Sequence, residues 1–331
     1  MSCQIAFLGS PQAFAARGGA AGILPGILPA AVIAGRGGDD GTFSGAKRFS
    51  SLKEAFFAFP ALEAVAISPS FSGDGEEFYD NASLALSHGK HLFAAIPPSL
   101  SSGSIGKLLA LAKDAGCLFY PYLPGIASDG FREAKGILAR KELGEILLAA
   151  EEGVVSGDPL FPEAGFAESL REILLPSFLR LQILFGEVLS VSALAERSGA
   201  SRAEGIPRPD AVTAEIRFVS GPICTVFCRS ASPEARARLL ISGRNGEFSV
   251  DLSFDAGSPD NAYDDEFASI PGGDEFDQAF SGFLLALRES EPRDLLPSEA
   301  LLLPDAVRYA DAAVSSALSG GSRVLLPEAR F

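Results

Sequence analysis

The 331-residue chain has no tryptophan, one methionine, two histidines and four cysteines. Cys3, Cys117, Cys224 and Cys228 show none of the paired spacings of zinc or redox motifs. Cys224 and Cys228 fall in a strand-like run, where residues i and i+4 lie far apart. Reduced, buried thiols are the expectation, with no disulfide and no metal. Positive charge is also scarce: 27 Lys and Arg against 42 Asp and Glu give a net charge of −15 and a pI of about 4.6. Such a surface repels phosphate backbones and anionic lipid, which argues against nucleic-acid and membrane partners. No long apolar run is present. The stretch AGILPGILPAAVIAG falls short of the roughly 20 residues of a membrane span and is broken by Pro25 and Pro29. No charged-then-apolar leader precedes Ile5, so a cytoplasmic protein is expected.

What is there is a globular composition, 47% hydrophobic and 21% charged, in a chain too long for most single cores. Two domains are expected, 1–122 and 123–331. In the first, the apolar runs CQIAFLG, AAVIAG, LEAVAIS, KHLFAA and CLFYPY alternate with helical patterns over 51–58, 76–88 and 103–115. Apolar runs without polar alternation mean strands buried on both faces, hence a doubly wound α/β domain with a parallel sheet of Rossmann type. Beyond residue 123 a helix is expected over 131–144, with Gly136 inside it and Gly144 as its stop. The later strands alternate: Val212, Ala214, Ile216 and Phe218 share one face, as do Phe248, Val250, Leu252 and Phe254. That pattern describes an open, mainly antiparallel sheet with one face on helices. Two helices close the chain, one over DEFDQAFSGFLLALRES and one starting near Pro304. The Gly-, Asp- and Pro-rich segment 255–273 reads as an acidic loop, and its YDDEF stretch lacks the spacing of a calcium site.

The first strand runs into FLGSPQAFAARGG, the place where a dinucleotide fold holds its pyrophosphate. Three glycines are wanted there, for the turn, the close backbone approach and the helix packing. Here those positions carry Gly9, Pro11 and Phe14. The second strand ends in Gly35-Arg36 rather than in a carboxylate for the ribose. Arg36 suits a 2′-phosphate instead, and Asp39 or Asp40 could reach back. Equally, Gly9-Ser10 reads as a plain strand-to-helix turn and Arg36 as a solvated charge.

The order of the pieces carries more than any one motif. LEAVAISP, SLALSHGKHLF, AKDAGCLFY, FREAKGILARKELGEI, LLPSFLRLQILFGEVLSV, ISGRNGEFSV and VRYADAAVSSALSGGSRVLL, in this order, resemble the Gfo/Idh/MocA family of nicotinamide-dependent oxidoreductases over nearly the whole chain. The resemblance implies a Rossmann domain followed by a mainly antiparallel α/β domain, NAD or NADP as cofactor, and a sugar- or polyol-like substrate. Cofactor contacts are implied at Gly9, Ser10, Pro11, Gln12, Arg36, Ser68, Pro69, Ala95 and Ile96. Relatives of this fold commonly pair through the second-domain sheet, which implies a homodimer using the polar face that carries Glu215 and Arg217.

Two family signatures are altered. The Glu-Lys-Pro at the end of the fourth parallel strand is Ala95-Ile96-Pro97 here, without the lysine. The Asp-x-x-x-His pair falls on Glu172 and Pro176, without the histidine. The only histidines are His88 and His91 and the last lysine is Lys141, so no imidazole comes from the second domain and no ammonium from beyond residue 141. A secondary alcohol giving up hydride needs a proton acceptor, worth ~10²- to 10⁴-fold in rate. Glu172, Tyr120, Tyr122 and Asp129 are the candidates. Each also has a structural reading: Glu172 as an exposed helix-end carboxylate, the tyrosines as packing with their hydroxyls at the surface, and Asp129 as the cap of a helix beginning near Phe131. Two functions therefore stand: an active oxidoreductase with altered acid/base groups, or a family member without turnover that serves as a ligand-binding, regulatory or partner subunit. His88 and His91 sit at a helix-to-strand junction, where a histidine usually caps the helix.

Overall fold

The computed structural model describes residues 3–9, 27–33, 46–68, 74–123, 125–126, 128–156, 165–197, 208–219, 221–232, 236–252, 275–288 and 298–326. The chain divides into two compact units, Met1–Leu123 with Asp255–Leu301, and Pro124–Phe254 with Leu302–Phe331.

The first unit is built on a six-stranded sheet in the order β3-β2-β1-β4-β5-β6. Its strands are β1 (Cys3–Leu8), β2 (Ile27–Ile33), β3 (Lys47–Phe49), β4 (Ala64–Ile67), β5 (His91–Ala95) and β6 (Phe119–Tyr122), and every pairing is parallel. The sequence pattern missed only β3, three residues of which two are basic and exposed. Helices α1 (Leu52–Ala58), α2 (Gly75–Ser87) and α3 (Ser102–Ala115) connect the strands and start on polar caps. Ser51 accepts from Glu54 N–H, Asp74 from Glu76 and Glu77 N–H, and Ser101 from Ser104 N–H. These satisfy helix-start donors that would otherwise lack intrahelical partners. All four residues of β4 are buried, as expected for a strand covered on both faces.

The second unit carries a seven-stranded sheet in the order β12-β11-β7-β10-β9-β8-β13. It comprises β7 (Ile146–Ser156), β8 (Val188–Glu196), β9 (Ala211–Phe218), β10 (Ile223–Ser232), β11 (Arg236–Gly243), β12 (Gly246–Asp251) and β13 (Val324–Leu325). Only β7 and β10 pair in parallel, so the sheet is mixed and mostly antiparallel. Helices α4 (Asp129–Ala139), α5 (Phe166–Phe185) and α7 (Leu303–Leu318) belong to this unit. The expected alternation holds: Val212, Ala214, Ile216 and Phe218 are all buried and lie in one core with Leu170, Leu174 and Phe178 of α5 and Tyr309 and Ala313 of α7.

Two boundaries differ from the sequence reading. Helix α4 stops at Ala139 rather than at Gly144, because Arg140 caps it and Lys141 turns the chain into the left-handed region at φ 57°. The helix α6 (Glu275–Arg288), expected in a second domain running from 123 to the end, belongs to the first unit. Its apolar face decides this, since Phe283 and Leu284 are buried with Ile5, Phe7, Ala66 and Phe93 of the parallel sheet.

Candidate active site

In an open parallel sheet ligands bind beyond the carboxyl ends of the strands, where the strand order reverses. Here β2 and β4 lie on opposite sides of β1, so the reversal falls between β1 and β4. Gly9 follows β1 with φ 101°, in the left-handed region, and its amide donates to the Ile33 carbonyl at 3.1 Å. Ser68 follows β4, is 1% exposed, and its amide donates to the Leu8 carbonyl at 3.0 Å. Ala95 ends β5 and Ile96, Pro97 and Pro98 follow, all buried or half-buried, with a turn closed by Leu100 N–H on the Pro97 carbonyl at 3.0 Å. Gly9, Ser68, Ala95 and Ile96 therefore share one edge of one sheet. Ser10, Pro11, Gln12, Arg36 and Pro69 lie outside the described residues, as do Phe14, Asp39, Asp40 and the YDDEF stretch.

The polar side chains on the described strand ends of this edge are those of Ser68, Tyr122 and Ser50, the last donating its hydroxyl to Glu54 at 2.9 Å. The nearby Asp74 carboxylate is engaged in capping α2. Tyr120 and Tyr122 pack against the aromatic core beneath α6. The Tyr120 ring lies 6.1 Å from the Phe93 ring and 6.2 Å from that of Phe283. Its hydroxyl abuts Gly282, where an added Cβ would come within 2.9 Å. Tyr120 thus fills space under a helix.

In the second unit Glu172 is neither exposed nor at a helix end. Helix α5 begins at Phe166, held by the Glu168 carboxylate accepting from Gly165 N–H at 2.7 Å, which puts Glu172 in the helix interior. Its side chain is 8% exposed and lies 3.7 Å from Arg208, itself 6% exposed. Four residues on, Pro176 sits inside the helix and has no N–H for the Glu172 carbonyl. Asp129 is not the cap of α4. Ser128 caps that helix by accepting Phe131 N–H at 3.2 Å, while Asp129 lies in the first turn, half exposed, in an ion pair with Arg132. The acid/base candidates thus divide between the units, the tyrosines in the first and the carboxylates in the second.

Both histidines have structural partners. The His88 ring bonds the Leu84 carbonyl at 2.9 Å where α2 ends, and Nδ1 of His91 accepts Leu118 N–H at 2.9 Å. Burial holds His91 below its ordinary pKa, against a smaller opposing pull from Glu63. All four cysteines are free, and burial pushes the Cys228 thiol up to about 12. Among the described residues no group of three or more His, Cys, Asp and Glu is placed to hold a metal, and no helix is long and apolar enough to cross a membrane.

Sequence reasoning missed a buried network in the second unit: Ser177 donates to Glu151 at 2.6 Å, and Arg180 forms a two-point ion pair with the same carboxylate. The signal was present, since alternation in ILLAAEEGVVS places residue 151 on the inner face with Ala149. Arg208, the partner of Glu172, sits in a connection and carried no such pattern.

No family model matches the chain, and no curated protein matches it in sequence. Solved structures do share its fold. The myo-inositol dehydrogenase of Lactobacillus casei, determined with NAD(H) and myo-inositol, aligns at a TM-score of 0.73 and 17% identity over 100% of this chain and 98% of that one. GenD2 from gentamicin A biosynthesis, determined with NAD, aligns at 0.75 and 16% identity over 98% and 97%. Myo-inositol 2-dehydrogenase of Lactobacillus plantarum aligns at 0.74 and 16% identity over 99% and 100%. The fold implied by the Gfo/Idh/MocA resemblance is the fold found.

Proposed function

We propose that this chain is an oxidoreductase of the Gfo/Idh/MocA type, using NAD or NADP on a sugar- or polyol-like substrate. The observation that carries the reading is likeness of fold, over 98–100% of this chain, to a myo-inositol dehydrogenase solved with NAD(H) and myo-inositol and to GenD2 solved with NAD. The residues at the strand reversal are compatible with such a cofactor. Gly9 has no side chain to obstruct an approaching pyrophosphate, and Ala95 and Ile96 offer an apolar wall to a nicotinamide ring. When bound, the cofactor would accept or return a hydride, and this chain's part would be to orient the alcohol and exclude water. The protein is further proposed to work in the cytoplasm, where its free thiols would stay reduced.

A second reading is favoured by one specific observation: Ile96 and Pro176 stand where the proton-handling lysine and histidine are expected, and Glu172 is buried against Arg208. On this reading the protein binds a small polar ligand without turnover, as a regulatory or partner subunit. Reduced nicotinamide fluorescence separates the two, because the chain has no tryptophan to interfere. Saturable binding with substrate-dependent oxidation supports the enzyme, and saturable binding without oxidation supports the silent binder. No binding at millimolar NADH or NADPH removes the nucleotide from both.

A homodimer is part of the proposal. The open face of the second sheet reads in rows across paired strands: Arg217, Ile223, Leu148 and Ser242, then Leu194, Thr213, Phe227, Glu152 and Arg238. Leu148, Ile223, Phe227 and Leu194 are 41–57% exposed, a high value for apolar side chains at the middle of a sheet. Charges of both signs flank them, with Arg238 and Glu152 in one row and the Arg217, Glu215 and Arg323 ion pairs beside it. An apolar centre with charges of both signs at its margin suits a twofold contact with a second copy. Phe227→Arg is expected to yield a monomer by light scattering, and a wild-type monomer at micromolar concentration overturns this part.

A further inference from the structure

The second unit begins at Pro124, at the first of the three places where the chain passes from one unit to the other. Gly125 adopts φ +78°, and its carbonyl accepts the Ser128 hydroxyl at 3.2 Å. That hydroxyl in turn accepts Phe131 N–H, tying this stretch to the first turn of α4. Against Gly125 lies the Arg180 guanidinium. A Cβ added there would collide with Nη1 and lie 3.1 Å from Cζ.

A guanidinium can usually swing away, but this one is held. Its Nε donates to Glu151 Oε2 at 3.3 Å and its Nη2 to Oε1, while Ser177 donates to Oε1 at 2.6 Å. The side chains of Arg180 and Glu151 are 7% and 1% exposed. They project from α5 and β7, rigid elements of the second unit, so the fork has one orientation. A buried pair of this kind adds little net stability over well-packed apolar residues, which makes geometric definition the stronger reason for it.

We propose that Glu151, Ser177 and Arg180 form a latch that holds the start of the second unit, at Gly125 and Ser128, in one conformation. Arg180 is its positioning residue, acting through the backbone of Gly125. The latch stands apart from the nicotinamide reading and is tested without any cofactor.

The experiment is hydrogen–deuterium exchange by mass spectrometry on the full chain and three variants. Arg180→Met leaves Glu151 buried without its partner. Gly125→Ala attacks the contact from the backbone side. The double variant Glu151→Leu with Arg180→Met removes both charges, and so keeps the test open if the single variant fails to fold. In each folded variant the amides of 125–131 should exchange about tenfold or more faster, with those of β9 and β10 unchanged. Wild-type exchange at 125–131 in the double variant overturns the latch. So does an equal acceleration in β9 and β10, which would make the pair general core packing.

Discussion

Glu172 Oε1 and Arg208 Nη2 face each other at 3.7 Å, with both side chains more than nine-tenths buried. A general base must meet its substrate's proton, and this carboxylate is instead committed to a guanidinium inside the second unit. The pair gives Glu172 a structural role in the core of the second unit. Glu172→Gln should therefore act first on stability. It removes the negative charge that faces the buried Arg208 and should cost about 3 kcal/mol in urea unfolding. A variant that keeps its unfolding midpoint but loses all oxidation of reduced nicotinamide would instead make Glu172 the catalytic base.

Tyr120 and Gly282 give a test of the first unit. The methyl of Gly282→Ala would meet the Tyr120 hydroxyl at 2.9 Å but the ring carbon Cζ at an ordinary 3.6 Å. In the wild-type background the substitution should destabilise by about 1 kcal/mol, because an aromatic in a packed cluster has little room to yield. In a Tyr120→Phe background the clash is gone, and the helix preference for alanine over glycine should make it neutral or stabilising by up to about 1 kcal/mol. Equal effects in both backgrounds, measured as a double-mutant cycle in thermal unfolding, would reject the packing role of Tyr120.

His91 predicts a pH dependence. Its pKa is lowered in the folded chain, chiefly by burial, from the 6.5 of the free side chain. The folded state therefore prefers the neutral ring, whose Nδ1 accepts Leu118 N–H. The stability this contributes is present above pH 6.5 and is lost as pH falls below that toward the folded value. His91→Asn keeps an acceptor near Nδ1 without titrating. The melting temperatures of the two proteins should separate between pH 7.5 and 5.5, with the wild type losing more. Parallel curves would count against this account.

The thiols should be inert in the native state. Cys228 is pushed up to about 12 by burial and by the neighbouring Glu151, and Cys224 is raised further by the same causes. Cys117 is raised by burial, with Lys90 opposing. A thiol reagent at pH 8 should label at most the half-buried Cys3 promptly, the other three appearing at the rate of unfolding. Prompt labelling of Cys228 would show that β10 opens locally.

The local parts of this protein were legible in its residues. Unbroken apolar runs such as AVAI could only be strands covered on both faces, and alternation in AVTAEIRF could only be a sheet with one face inside, because side-chain period follows backbone geometry. The element order was enough to imply the architecture. Less was legible where a residue's role depends on a distant partner. An acid at position 172 reads the same whether it meets solvent, substrate or Arg208, and a tyrosine at 120 reads the same whether its hydroxyl is free or set against Gly282.

The sequence by itself determined the two kinds of sheet, the three helices over 51–58, 76–88 and 103–115 to within about a residue of their ends, and the absence of any histidine or any lysine beyond residue 141. Only the tertiary structure decided that the helix over 275–288 returns to the first sheet, that Ser128 rather than Asp129 caps α4, and that Glu172, Glu151, Arg180 and Arg208 are buried in ion pairs. The reason is that capping and periodicity act over a few residues, whereas the partner of a buried charge is chosen by packing between segments far apart in the chain.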